Sequence, residues 1–213
     1  MAYFPFFVEI EGKKCLIVGG GTVACRKALV LSEYGPDITV VACHIVSELK
    51  QLASQNGDSI TLQKRGFDDG DLENIDFVVA ATSDDGLNRH ISEVCRQRKI
   101  PVNVVDVQEE CSFIFPALIK EKEIVVGIST GGSSPTIAQY LKKRFKETIP
   151  SGFGTLAGQL STYRSLVKEQ VPSLAVRSDI FKTMVAEGIK QGGVFTREQA
   201  LELIERKQKE HEQ

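Results

Sequence analysis

Cys15-Leu16-Ile17-Val18-Gly19-Gly20-Gly21-Thr22-Val23-Ala24 is the stretch on which the reading of this chain turns. Its first four residues are a short apolar run, the glycines a tight turn, and from about Val23 to Ser32 apolar residues recur at helical spacing. The order is strand, turn, helix. Gly19, Gly21 and Ala24 fit the G-x-G-x-x-A nucleotide fingerprint, in which glycine permits the turn and lets a pyrophosphate approach backbone N–H groups at a helix start. Glycine triplets also make ordinary turns, but this one sits between a clear strand and a clear helix, which favours dinucleotide binding.

Downstream, Gly35-Pro36-Asp37 punctuates the chain before the β-branched run Ile38-Thr39-Val40-Val41-Ala42, which closes a βαβ unit. The pattern predicts a helix over Val46–Ser54, strands at Ile60–Gln63 and Phe77–Ala81, a helix over Gly86–Arg98 and a strand at Val102–Val105. Strands alternating with helices imply an α/β fold with a Rossmann-type doubly wound parallel sheet, whose ligands sit beyond the carboxyl ends of the strands. After Asp106 the rhythm changes. Ser112–Ile119 and Ile124–Ser129 read as two strands of a hairpin around Lys120-Glu121-Lys122-Glu123. From Pro135 onward the chain reads as helical, with Ser134 as N-cap and Pro135 at the first helical position. Further helices are predicted near Gly152–Glu169, Ser173–Gln191 and Arg197–Lys209, the last opened by Thr196 and Gln199 at capping-box spacing. The charged tail after Lys207 is expected to fray.

The 213 residues are 42% apolar and 25% charged, with a formal charge of -2, so nothing attracts nucleic acid or an anionic membrane globally. The opening MAYFPFFVEIEGKK is apolar before it is charged, the reverse of a signal peptide, and no stretch approaches the roughly 18 apolar residues of a membrane span. A soluble, cytoplasmic protein is expected. Five cysteines (Cys15, Cys25, Cys43, Cys95 and Cys111) include no C-x-x-C pair, so they read as reduced thiols and no metal site is expected.

Four motifs together resemble one family. They are Phe4-Pro5-Phe6-Phe7 ahead of the glycine turn with Arg26-Lys27; Ala80-Ala81-Thr82 with Asn88; Asn103-Val104-Val105-Asp106; and Ser112-Phe113-Ile114-Phe115-Pro116-Ala117 followed by Ser129-Thr130-Gly131-Gly132-Ser133-Ser134-Pro135. In this combination and order the chain resembles the precorrin-2 dehydrogenases, including the amino-terminal part of multifunctional siroheme synthases. The resemblance implies NAD-dependent oxidation of precorrin-2 to sirohydrochlorin, on the route to siroheme or cobalamin. It implies a homodimer, with an NAD-binding domain over residues 1–112, a central dimerisation region over 113–148 and a small all-helical domain over 149–213. With no methyltransferase segment after residue 213, the stand-alone form is expected.

The fingerprint departs from the general pattern at one place: after Val41 come Ala42-Cys43-His44, with no acidic residue for the ribose hydroxyls. No arginine follows immediately to take a 2′-phosphate, which tilts the choice towards NAD. The resemblance places the cofactor against Thr22, Val23, Cys43 and His44 as well as Gly19 and Gly21; His44 reads equally as a loop histidine of no special role. Thr82 and Asn88 flank the loop after the fourth strand, where Thr82 is expected to contact the cofactor, at its nicotinamide ribose, and Asn88 the substrate, the alternative being that they fix the loop.

Dehydrogenation removes a hydride and a proton, so the site needs a nicotinamide and a proton route. Asp106, at the end of a buried strand, is the leading catalytic candidate, and the resemblance puts the family's essential aspartate there. A strand-end carboxylate that caps backbone N–H groups is the bland alternative. The hydroxyl-rich loop with Ser129 and Thr130 leads into a helix amino terminus, suited to a substrate carboxylate or to a plain capped turn. Lys142, with Lys143, Arg144 and Lys146, offers cations to the polycarboxylate substrate the resemblance implies, although some must face solvent. Two competing readings are a second activity, insertion of ferrous iron or cobalt into sirohydrochlorin, and a non-enzymatic NAD-sensing module. Only the latter would bind cofactor without turnover.

Overall fold

Lys14–Val18, the run ahead of the glycines, is the central strand β1 of a five-stranded sheet in the computed structural model, which describes residues 3–211. Strands β2 (Asp37–Val41), β3 (Ile60–Gln63), β4 (Phe77–Ala80) and β5 (Val102–Val104) complete it. All pair in parallel, in the order β3-β2-β1-β4-β5, and Val18 is flanked by Val41 on one side and Ala80 on the other. The order reverses between β1 and β4, and at such a switch point the loops after the two strands diverge to leave a crevice.

Alternation along β1 shows why both faces must be covered. Cys15 and Ile17 pack with Ala24, Ala28 and Leu31 of helix α1 (Thr22–Ser32) and with Leu49 and Leu52 of α2 (Ser47–Asn56). Leu16 and Val18 pack on the other face with Ile91 and Cys95 of α3 (Asp85–Arg98). A parallel sheet covered on both faces favours strands that are apolar on both sides, and β1 from Cys15 to Val18 and all of β4 follow that rule, each residue buried. The doubly wound sheet expected from the sequence is present.

The chain separates into two units at Phe115/Pro116. The second opens with an antiparallel hairpin, β6 (Ala117–Glu121) and β7 (Ile124–Ile128), against which α4 (Pro135–Thr148) packs through Ala138 and Leu141. Ser134 caps α4, its Oγ accepting from the Ile137 N–H at 3.3 Å. Then α5 (Phe153–Gln170), α6 (Leu174–Lys190) and α7 (Arg197–His211) form a helical bundle around Val167, Ile180, Met184, Phe195, Leu203 and Ile204. The predicted box at the start of α7 is made in both directions between Thr196 and Gln199, at 2.8 and 3.3 Å.

Two expectations need revision. The strand predicted from Ser112 begins only at Ala117, because Phe113 turns edge-on to Phe77 with Phe115 tilted against it, and Pro116 has no N–H for a ladder. The tail does not fray at Lys207: α7 continues to His211, with Lys207 2.9 Å from both Asp179 and Glu210. Glu212 and Gln213, like Met1 and Ala2 of the opening segment, lie outside the described residues. Among the described residues no helix is long and apolar enough to cross a membrane.

Candidate active site

The glycine turn is shaped by what lies behind it. Gly19 has φ +127, and a Cβ there would stand 2.2 Å from the Ala81 carbonyl oxygen after β4. A Cβ on Gly20 would stand 2.1 Å from the His44 carbonyl oxygen after β2. Backbone bonds from the Gly19 N–H to Val41 O (3.0 Å) and from the Val46 N–H to Gly20 O (2.9 Å) lock the turn in place. Gly21 differs: a Cβ there meets nothing within 4 Å, so its open side faces free space. It is the N-cap of α1, which has no side-chain cap and no acidic residue in its first turn. Unpaired N–H groups with a positive dipole end, next to open space, are what a dinucleotide's diphosphate requires. The residues therefore fit NAD at this position. Ala24, fully buried, lets α1 lie close on the sheet.

That turn borders a cleft of about 900 Å³ at the carboxyl ends of the strands, a size ordinary for a cofactor site. Gly19, Gly21, Thr22, Val23, Cys43, His44, Thr82, Asn88 and Asp106 all line it. So do Gly20, Lys50, Lys64 and Arg65, which the motif reading did not single out. Arg65 is engaged with Asp71, and this hydrogen-bonded pairing holds the Asp71 carboxyl below the usual carboxylate range. Cys43 is exposed, whereas Cys15 and Cys95 are buried, which drives both thiols' pKa upward, that of Cys95 to about 11. All five cysteines are free.

Asn88, 3% exposed, is the partner of Thr82: its Oδ1 accepts from the Thr82 hydroxyl (2.8 Å) and N–H (3.2 Å), and its Nδ2 donates to Thr82 O (3.1 Å). Each polar atom of the Asn88 amide is thus occupied in shaping the loop after β4. His90, outside the cleft, lies 2.8 Å from Asp69.

Asp106 is exposed and sits just beyond β5 in the left-handed region, at φ +62, unusual for a residue with a side chain. Near it, the Lys27 ammonium lies 3.8 Å above the centre of the Phe115 ring, a cation–π contact. Burial lowers the Lys27 pKa, while Cys111 and Asp106 oppose the shift and Arg26 adds to it. Spacing held one signal for Lys27: it follows the cleft residue Val23 by four, and so shares its helix face.

Ser129, Thr130 and Lys142 belong to the second unit. The Ser129 hydroxyl accepts from the Gly131 N–H (3.0 Å), and the Thr130 hydroxyl bonds Ser134 N and O (3.1 and 3.0 Å), so both shape their own loop. Lys142 is half-buried on α4, and Arg144 pairs with Glu147 at 3.6 Å. Among the described residues no cluster of three or more His, Cys, Asp or Glu side chains is placed to hold a metal ion.

The sheet order, the switch-point cleft and the open glycine turn define a Rossmann-type dinucleotide-binding protein. The chain belongs to the family described as "Putative NAD(P)-binding", which matches residues 6–117. Among curated proteins it is 40% identical over 200 residues to the siroheme synthase of Thioalkalivibrio sulfidiphilus, covering 94% of this chain and 40% of that protein. It is 39% identical over 206 residues to the siroheme synthase of Pseudomonas paraeruginosa, covering 95% of this chain and 44% of that protein. The chain thus spans less than half the length of these relatives. A solved structure titled "SirC, precorrin-2 dehydrogenase" shares the fold over 97% of this chain and 100% of its own, with a TM-score of 0.69 and 21% identity.

Proposed function

We propose that this chain is an NAD-dependent dehydrogenase that oxidises precorrin-2 to sirohydrochlorin, with Asp106 as the proton acceptor. The observation that carries the reading is a single cleft bordered at one place by the bare amino terminus of α1 and at another by the exposed carboxylate of Asp106. The similarity to siroheme synthases over 94% of the chain, and the fold shared with a precorrin-2 dehydrogenase, support the substrate. In the reaction precorrin-2 gives up a hydride and a proton. NAD held at the glycine turn would supply the hydride acceptor. Gly21, Thr22 and Val23 would hold the diphosphate through backbone N–H groups, with Cys43 and His44 beside the adenosine. Thr82, fixed by Asn88, would meet the nicotinamide end, and the Asp106 carboxylate oxygen takes the proton. Ser129, Thr130 and Lys142 carry the substrate's carboxylates. The working form is a homodimer, a reading supported by the bare aromatic run Phe4, Phe6 and Phe7, each at least 75% exposed.

The test is anaerobic turnover of enzymatically generated precorrin-2 with NAD, following NADH and sirohydrochlorin together. Both are expected to rise in step; NAD binding without either product overturns the reading in favour of a cofactor-sensing module. A footprint checks the cofactor site separately. NAD is expected to slow alkylation of Cys43 by about tenfold while the buried Cys15 and Cys95 stay unmodified with or without it. Equal Cys43 labelling at saturating NAD would place the adenosine elsewhere.

A further inference from the structure

We propose that Cys111 is a positioning residue for Asp106: its thiol ties together the two sides of the turn that carries Asp106 and so sets where the carboxylate stands. The inference rests on the role given to Asp106 above.

A non-glycine residue at φ +62 persists only where its surroundings hold it there. Asp106 does not hold itself: among the described residues its carboxylate accepts no hydrogen bond. Backbone bonds hold each side, from the Val105 N–H to Ala80 O at 3.0 Å and from the Glu110 N–H to Val107 O at 3.2 Å, and one sulfur atom ties the two sides to each other. Cys111 Sγ accepts from the Val104 N–H at 3.2 Å and from Asn103 Nδ2 at 3.5 Å. Its S–H faces two acceptors, Val104 O at 3.1 Å and Val107 O at 3.3 Å. Val104 precedes Asp106 by two residues and Val107 follows it by one, so the thiol bridges the turn across its base.

The sulfur is itself anchored. Ser112 locks onto β5, its N–H donating to Val102 O at 2.8 Å and its Oγ accepting from the Val102 N–H at 2.7 Å. One residue before the thiol, Glu110 O accepts from the Ser92 hydroxyl at 2.7 Å. Ser92, on α3, and Asn103, on β5, are two of the few polar side chains buried in this unit. Both serve this loop, with the Asn103 amide also donating to Phe113 O at 3.0 Å. Burial pushes the Cys111 thiol's pKa up, so at neutral pH it keeps the proton it donates. A thiol suits the place because it bonds weakly yet is buried cheaply beside Val102 and Val104.

The competing role is packing alone, and three variants separate the two. Cys111→Val fills the place with slightly more apolar bulk and loses the bonds, Cys111→Ala loses both bulk and bonds, and Cys111→Ser keeps a donor and an acceptor while shrinking the group. A positioning role is expected to lower kcat about tenfold in Cys111→Val and Cys111→Ala and to restore it to within about threefold in Cys111→Ser, with KM for precorrin-2 held within about twofold. NAD affinity by calorimetry is expected to stay at the wild-type value in all three. Packing predicts the opposite order, with Cys111→Val like wild type and Cys111→Ser the weakest, and that order overturns the proposal. Should Cys111→Val fail to fold, Cys111→Ala against Cys111→Ser makes the same comparison: equal kcat in the two overturns it. If the wild type binds NAD but turns over no precorrin-2, the proposed function falls and the role of Cys111 falls with it. If the wild type turns over normally and Cys111→Val matches it, only the role of Cys111 falls.

Discussion

Asp106→Asn is expected to lower kcat for precorrin-2 oxidation by about a thousandfold while NAD affinity stays within about twofold of the wild type. Asparagine preserves the side chain's shape and is, with aspartate, among the residues best suited to a left-handed backbone, so the turn at φ +62 survives. What asparagine lacks is a basic oxygen to receive the proton. Initial rates of NADH formation, with calorimetric NAD titration of the same preparation, check both halves. A loss of NAD binding equal to the loss of rate would move Asp106 into the cofactor site and out of the chemistry. A companion variant removes the backbone question: Asp106→Gly relieves the left-handed strain and is expected to fold at least as stably as wild type yet to be just as inactive.

Gly19→Ala is expected to be the most damaging single-methyl change in the cleft. Its Cβ would stand 2.2 Å from a backbone oxygen, that of Ala81, in a conformation at φ +127 that alanine rarely adopts. Neither side can yield, because β1 and β4 are paired in register up to Val18 and Ala80. The expected cost is about 3 kcal/mol, a fall in Tm on the order of 10 °C, together with loss of NAD binding. Gly21→Ala is the contrast. With nothing within 4 Å, it is expected to melt like wild type and to bind NAD about tenfold more weakly, because the methyl enters the space the diphosphate needs. Equal melting temperatures for the two alanine variants would mean that the approach of β4 to the turn does not constrain it.

The contrast between these two glycines also marks what was legible beforehand. The fingerprint named Gly19 and Gly21 together, since periodicity and turn chemistry act within a few residues. It treated Gly20 as an arbitrary position, yet Gly20 is confined by the His44 carbonyl, a contact set only when the loop after β2 folds back. The sheet was readable because β1, β2 and β4 carry unbroken or β-branched apolar runs between turn signals, whereas Ser112–Pro116 misled because the same apolar letters suit a strand and an aromatic cluster. Cys111 gave no signal: its five-residue distance from Asp106 matches no helix or strand period, and only loop closure makes them neighbours. Lys27 was visible as a charge on a helix, but its seat over Phe115 depends on a ring 88 positions away.

Beyond β2 and β3 the cleft is bordered by Lys50 of α2 and by Lys64 and Arg65, which follow β3, and no carboxylate lines it there. In many dinucleotide folds an acidic side chain at that point both grips the ribose and repels a 2′-phosphate. Without it the cleft has no repulsive device against the phosphorylated cofactor, and selectivity that lacks repulsion is a difference of degree. Preference for NAD in this protein then rests on the contacts its ribose hydroxyls gain and not on an expelled phosphate.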